Sequence, residues 1–188
     1  MAARVVLTYR DYEALPNDGK RYEIHDGELS VTAAPSFDHQ LVLARLFRVL
    51  DRHVESRHLG VVLFSPLDVI LADTTILQPD LVFLSNEHLA GTSRRGVEGP
   101  PMLVIEAISP STATNDRGIK RQLYARYAVP YYWIVDVEGR VVEAFVLRSG
   151  DYVEVARVSG PAPVDLPPFP GLGLIPDSLW PPELLSES

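Results

Sequence analysis

The sequence predicts an α+β (α/β) fold, a mixed central β-sheet flanked by two main helices. Two observations carry this. Strand-like apolar runs recur along the chain, and two longer segments between them carry a helical apolar period. The 188 residues are 46% hydrophobic and 22% charged, which suits one domain, 1–188, with a sizeable core.

Element by element, "YRDYEALP" reads as a short leading helix ended by Pro16 and the turn residues after it. "RYEIHDGELSVTAA" reads as a hairpin, because Asp26-Gly27 is a strong two-residue turn signal between strand formers. "FDHQLVLARLFRVLDRHVESRHLG" reads as the first long helix. Leu43, Phe47, Leu50 and Val54 fall at i, i+4, i+7 and i+11 on one apolar face, with Ser36 at the N-cap and Gly60 where a C-terminal glycine belongs. "VVLFS", "LDVILA" and "QPDLVFLS" read as strands, with Pro79 at a strand start, where it is tolerated. "NEHLAGTSRRGVEGP" reads as a polar loop, and "MLVIEAISPST" as a buried strand that carries Glu106. "TNDRGIKRQLYARYA" reads as the second helix, with Ile119, Leu123 and Tyr127 toward the core and Asp116, Lys120 and Tyr124 as a polar stripe beside them. "YYWIVDVEGRVVEAFVL" is a strand, a turn and a strand, and "DYVEVARV" adds one more. Half of the 16 prolines lie beyond about residue 160, which reads as an extended tail wrapping the domain, with a frayed end.

The composition excludes several chemistries. With no cysteine there is no disulfide, thiolate metal site or cysteine nucleophile, so a metal would take carboxylate, imidazole or carbonyl ligands. The start has no signal-peptide core, and no stretch approaches the roughly 20 apolar residues of a membrane helix, so the expectation is a cytoplasmic protein without a membrane partner. A net charge of −8 argues against a non-specific nucleic-acid coat, while leaving room for a local basic patch.

Two acids stand out. Asp80 follows a proline at the start of an apolar strand, and Glu106 sits within another. Buried carboxylates need a basic partner, backbone donors or a cation, and a pair brought together is best compensated by a cation. The loop "SPST" links the strand of Glu106 directly to the second helix, so Lys120 can hang over the strand end. Two carboxylates, a lysine and a helix start in one cleft suit metal-assisted hydrolysis of a phosphodiester.

The order "YEIHDGEL", "QPDLVFL" and "LVIEAISPSTATNDRGIKRQLYARYAVPYYWIVD" resembles a large bacterial family of restriction-endonuclease-like proteins in the PD-(D/E)xK nuclease superfamily. The likeness runs from about Tyr9 to the final prolines. It implies a restriction-endonuclease-like core with Mg²⁺ at the strand ends and Mn²⁺ as a substitute. Asp80 matches the "PD" aspartate and Glu106 the "(D/E)" acid, both metal ligands. Ala107 stands at "x", whose carbonyl can face the metal, and Glu23 matches an early acid that completes the site. The superfamily lysine falls at Ile108, and the resemblance assigns its role to Lys120; from the helix stripe, Asp116 is expected to orient Lys120, with Tyr124 in support. Ala128 and Tyr131 depart from the glycine and glutamate usual in this family.

The remaining residues have plainer readings beside functional ones. His39 reads as a helix-end surface residue, although the family carries a histidine at the matching place that can approach the cleft. His53, His58 and His88 read as surface residues. Ser109, Ser111 and Thr112 read as helix caps, since there is no G-x-S-x-G elbow. Tyr131, Tyr132 and Trp133 read as core and sheet-face aromatics. Arg117, Arg121 and Arg126 on the second helix, with Arg94 and Arg95 on the polar loop, are candidates for phosphate contact, or simply a solvated surface. The resulting expectation is a Mg²⁺-dependent endonuclease acting on DNA as a homodimer or higher homo-oligomer. The alternatives are an inactive nuclease-fold interaction module and a metal-dependent hydrolase of RNA or nucleotides.

Overall fold

The computed structural model describes residues 5–32, 34–108 and 116–181. Among the described residues, fourteen strands, three α-helices and short 3₁₀ and π turns make up an α+β architecture. The larger sheet has the order β12-β11-β10-β9-β6-β3, formed by β3 (Gly60–Phe64), β6 (Leu81–Ser85), β9 (Leu103–Ile108), β10 (Tyr131–Asp136), β11 (Val141–Arg148) and β12 (Asp151–Val158). It is mixed: β9 and β10 run parallel, and the other pairs are antiparallel. The parallel pair needs a crossover, and α3 (Arg121–Arg126), entered through a π turn at Asp116–Lys120, lies on that connection.

A second six-stranded sheet lies beyond what the sequence indicated. It has the order β2-β1-β5-β4-β8-β7 and contains the expected hairpin of β1 (Arg21–His25) and β2 (Glu28–Thr32), with β4 (Val69–Ala72). Its other members are very short: β5 (Thr75–Leu77), β7 (Thr92–Ser93) and β8 (Gly96–Glu98). The segment expected as a polar loop therefore contains two strands and a 3₁₀ turn at His88–Gly91. Asp26 and Gly27 both take positive φ, as a type I′ hairpin turn requires.

Period-two alternation along β9 divides the molecule into layers. Leu103, Ile105 and Ala107 face α2 (Phe37–Ser56), packing with Leu46, Leu50, Val54 and Trp133. Val104 and Ile108 face α3, packing with Leu123, Tyr124 and Tyr132. Ser36 caps α2 by accepting from the His39 amide, as expected. The C-terminal end differs: His58 takes the left-handed conformation, while Gly60 already begins β3. A Cβ on Gly60 would stand 1.9 Å from the Leu84 carbonyl oxygen, so this glycine serves close strand pairing instead of the helix end.

Several side chains turn differently from expectation. Ile119 is exposed, and Tyr127 is only half-buried, whereas Lys120, Leu123 and Tyr124 face inward. The wider π turn before α3 changes the phase of the stripe, so a uniform 3.6 period projected back from Leu123 misplaces Ile119. His53 is buried on the core stripe of α2, stacked edge-on to Phe169. His58 is exposed, and His88 is half-buried against Ser85. The caps expected at Ser109, Ser111 and Thr112 lie outside the described residues, as does the frayed end. Tyr132 and Trp133 are fully buried, and Tyr131 is half-buried at the start of β10. Ala128 takes φ +60, so the missing glycine puts an alanine in the left-handed region.

The proline-rich tail contributes directly to the core. It forms the hairpin of β13 (Val164–Leu166) and β14 (Phe169–Leu174), then a 3₁₀ turn, and Leu166, Phe169, Leu174 and Leu179 are buried against α2 and the larger sheet. The Phe169 ring lies 4.9 Å from Phe83 and 6.0 Å from Trp133. Phe169→Ala is expected to lower unfolding free energy by about 3–5 kcal/mol in urea titration. A loss under about 1 kcal/mol would mean that the tail merely covers a self-sufficient core.

Candidate active site

Each acid reaches the centre from a different element. Asp80 ends the bend before β6, Glu106 projects from β9 on the α3 side, and Glu23 comes from β1 of the smaller sheet. All three are almost fully buried. Arg21, Glu23 and His25 alternate along β1, which puts them on one strand face, while Ile24 between them is packed on the other.

Two cations enter the cluster from different elements, Arg21 from β1 and Lys120 from the π turn before α3. The Lys120 ammonium lies 3.1 Å from both Glu23 and Glu106. The Arg21 guanidinium donates to Asp80 at 2.8 Å and stands 3.8 Å from Glu106 and from Glu23. Neutral donors complete much of the rest. The Ala107 amide donates to Asp80 at 2.9 Å, the Gln78 amide to Glu23 at 2.7 Å, and the Tyr124 hydroxyl to Glu106 at 2.8 Å. His25 meets Glu23 at 3.1 Å.

His39 belongs here rather than on the surface. It is buried at the first turn of α2, with Nε2 3.0 Å from the Ala107 carbonyl and 3.2 Å from Asp80. Neither partner has a proton to give, so the geometry assigns the proton to Nε2. Glu23 is likewise buried.

These contacts shift the acid–base properties of the cluster. Burial disfavours a charged Asp80, but the His39 bond, the Arg21 charge and the Ala107 amide outweigh it and hold the carboxyl at about 2, below the ordinary 3.8. Burial also opposes ionisation of Glu23, yet Lys120, His25, Arg21 and the Gln78 amide hold it at about 2, below 4.5. For His39, burial favours the neutral ring, and Asp80 with the Ala107 carbonyl overcomes it, raising the imidazole above 6.5. Burial first, then the Glu106 and Glu23 charges, push the Tyr124 phenol well above 10, so it remains a donor.

A cleft of about 790 Å³ opens onto Asp80 and Arg21 and is also lined by Lys20, Phe47, Arg48 and Phe64. The arginines expected at phosphates lie elsewhere. Arg117 is paired with Glu143 and Asp136, Arg121 with Asp151, Arg126 with Asp26 and Arg95 with Glu98, while Arg94 is exposed. The side chain of Asp116 lies outside the described residues, and the carboxylates of Glu23 and Glu106 position Lys120. Sequence reasoning missed Arg21 and His25 as site residues. Their signal was the alternation Arg21-Glu23-His25 within the hairpin.

A family model named Uma2 and described as "Putative restriction endonuclease" matches residues 9–177. The chain belongs to the Uma2 family. No curated protein matches it. Among solved structures, a protein from Anabaena variabilis ATCC 29413, described as a "putative nuclease belonging to DUF820", superimposes with a TM-score of 0.76. It is 17% identical, and the match covers 92% of this chain and 97% of that one, a likeness of fold.

The donor set of this Uma2 site fits a hard divalent ion. Asp80, Glu106 and the Ala107 carbonyl offer only oxygen, the ligand type that magnesium and manganese take. Two buried polar atoms of the cluster, Arg21 Nε and His39 Nδ1, have no hydrogen-bond partner among the described residues. Among the described residues, no three His, Asp or Glu side chains converge in ligand geometry, and Asp80 and Glu106 are paired with Arg21 and Lys120.

The titration signs follow from these shifts. Ionised Asp80 and Glu23 contribute stability above their ordinary values of 3.8 and 4.5, and that contribution is lost as pH falls toward about 2. The charged form of His39 contributes stability fully below 6.5 and loses it as pH rises through its raised folded value. Histidine NMR titration is expected to place the His39 midpoint above 6.5 in the wild type and below it in Asp80→Asn, where burial and Arg21 act without the acid. An unchanged midpoint in the variant would mean that Asp80 does not set the state of His39.

Proposed function

We propose that the protein is a Mg²⁺-dependent endonuclease that hydrolyses DNA phosphodiester bonds. The observation that carries this reading is one buried cluster in which Arg21 bridges Asp80 and Glu106, Lys120 pairs with Glu106, and Asp80 lines an open cleft. Membership of a family described as "Putative restriction endonuclease" supports the same reaction class.

Asp80, Glu106 and the Ala107 carbonyl would hold the ion, with Glu23 behind them holding Lys120. A bound Mg²⁺ supplies Lewis acidity toward the phosphate and toward water. Lys120 offers its ammonium to charge that develops on the phosphate, or orients the attacking water, in a position fixed by Glu23 and Glu106. Tyr124 orients the Glu106 carboxylate, and its phenol stays protonated to do so. His39 ties the Asp80 carboxylate to the Ala107 carbonyl, which fixes two of the proposed ligand groups relative to each other. The cleft walls carry Lys20 and Arg48, which serve the DNA backbone even though the whole chain is acidic. Cutting both strands of a duplex is served by a two-fold homo-oligomer.

Supercoiled and linear duplex DNA, single-stranded DNA and RNA, incubated with Mg²⁺ or Mn²⁺, test this directly. The expected result is DNA cleavage that EDTA stops and that Asp80→Asn, Glu106→Gln and Lys120→Met each reduce by about 10²-fold or more. Cleavage that survives Asp80→Asn would contradict the site. Cleavage of RNA alone would change the substrate class, and no cleavage of any substrate would favour an inactive interaction module.

A further inference from the structure

Arg21 is incompletely satisfied within the acid cluster among the described residues. Its guanidinium faces three carboxylates but hydrogen-bonds only one, Asp80 at 2.8 Å, with Glu106 and Glu23 both at 3.8 Å. Its Nε is buried with no hydrogen-bond partner among the described residues. An arginine fork normally engages a carboxylate or phosphate through parallel bonds, and among the described residues this one matches no partner in that way.

The two cations of the cluster also differ in their freedom to leave. The Lys120 side chain is 5% exposed and equidistant from two acids, whereas the Arg21 side chain is 19% exposed and lines the cleft. A divalent ion between Asp80 and Glu106 would meet the same carboxylates that Arg21 faces, and two cations so close repel each other. The cleft wall offers Arg21 an exit toward Lys20 and Arg48, where an anionic strand would supply phosphate oxygens of the geometry its fork fits.

We propose that Arg21 holds the cation position between Asp80 and Glu106 until a divalent ion displaces it, and that the freed guanidinium turns into the cleft to bind a substrate phosphate. This inference rests on the metal-nuclease reading above. It makes Arg21 a substrate-binding residue that couples ion entry to substrate capture. The ion frees the arginine, the phosphate holds it in its second place, and by reciprocity each ligand tightens the other.

Calorimetric Mn²⁺ binding to the wild type and to Arg21→Gln, with and without a non-hydrolysable phosphorothioate dinucleotide, tests the coupling. Arg21→Gln is expected to bind Mn²⁺ about tenfold more tightly than the wild type and to lose the tightening that the dinucleotide gives the wild type. Equal Mn²⁺ affinity in both proteins, abolished in both by Asp80→Asn, would overturn the role of Arg21 and leave the metal site standing. Absence of Mn²⁺ binding in both, even with the dinucleotide, would overturn the metal-nuclease reading itself. Because Arg21→Gln leaves buried acids short of a cation and can fail to fold, nitrogen NMR of the wild-type Arg21 guanidinium supplies a second reading. Its signals are expected to move on Mg²⁺ titration; signals unchanged at saturation would overturn the proposal.

Discussion

Three carboxylates buried within reach of shared partners cannot all be ionised without counter-charge, and satisfying Glu23, Asp80 and Glu106 shapes the surrounding structure. Lys120 and Arg21 supply charge, and the amides of Gln78 and Ala107 with the Tyr124 hydroxyl supply donors. Removing any one acid would leave a buried cation short of its partner, and removing a cation would leave acids opposing one another. Such a cluster contributes little net stability compared with apolar packing, so its presence points to use rather than to folding.

The fold assembles this cluster from segments far apart in sequence. Asp80 and Glu106 arrive on neighbouring antiparallel strands, since β6 pairs β9 with Leu81 opposite Ile105. The parallel step from β9 to β10 requires a crossover, and its helix delivers Lys120 and Tyr124 above the Glu106 face. Glu23 and Arg21 belong to the other sheet, whose β1 lies against β5, just before Gln78. α2 brings His39 to the opposite side of β9, so Ala107 is gripped through its amide by Asp80 and through its carbonyl by His39. The proline-rich tail closes the α2 layer through Phe169 and Leu174 and so supports that helix.

Much of this was legible in the sequence, for local reasons. Apolar runs marked most strands of the larger sheet, Asp26-Gly27 marked the hairpin, and the short link from Glu106 to the second helix placed Lys120 near it. Less legible features depended on non-local pairing. β5, β7 and β8 have three residues or fewer, too short for alternation to register, so the second sheet was hidden. His39 and His53 continue the apolar stripe of α2, but their polarity made them read as surface until the structure supplied their partners. Ile119 was misassigned because a π turn breaks the period. Arg21 lay in plain view two residues before Glu23, and nothing local reveals that its strand faces the acids of another sheet.

The central claim is that Asp80 and Glu106 are buried together to hold a divalent cation. Anomalous diffraction from crystals soaked in Mn²⁺ tests it without assuming a substrate. The account predicts a manganese peak between the two carboxylates and the Ala107 carbonyl, with Arg21 turned toward the cleft, and no peak in Asp80→Asn. A wild-type crystal with no manganese at these residues, even with a phosphodiester analogue in the cleft, would contradict it and leave the acid cluster as an ion-pair network closed on its own lysine and arginine.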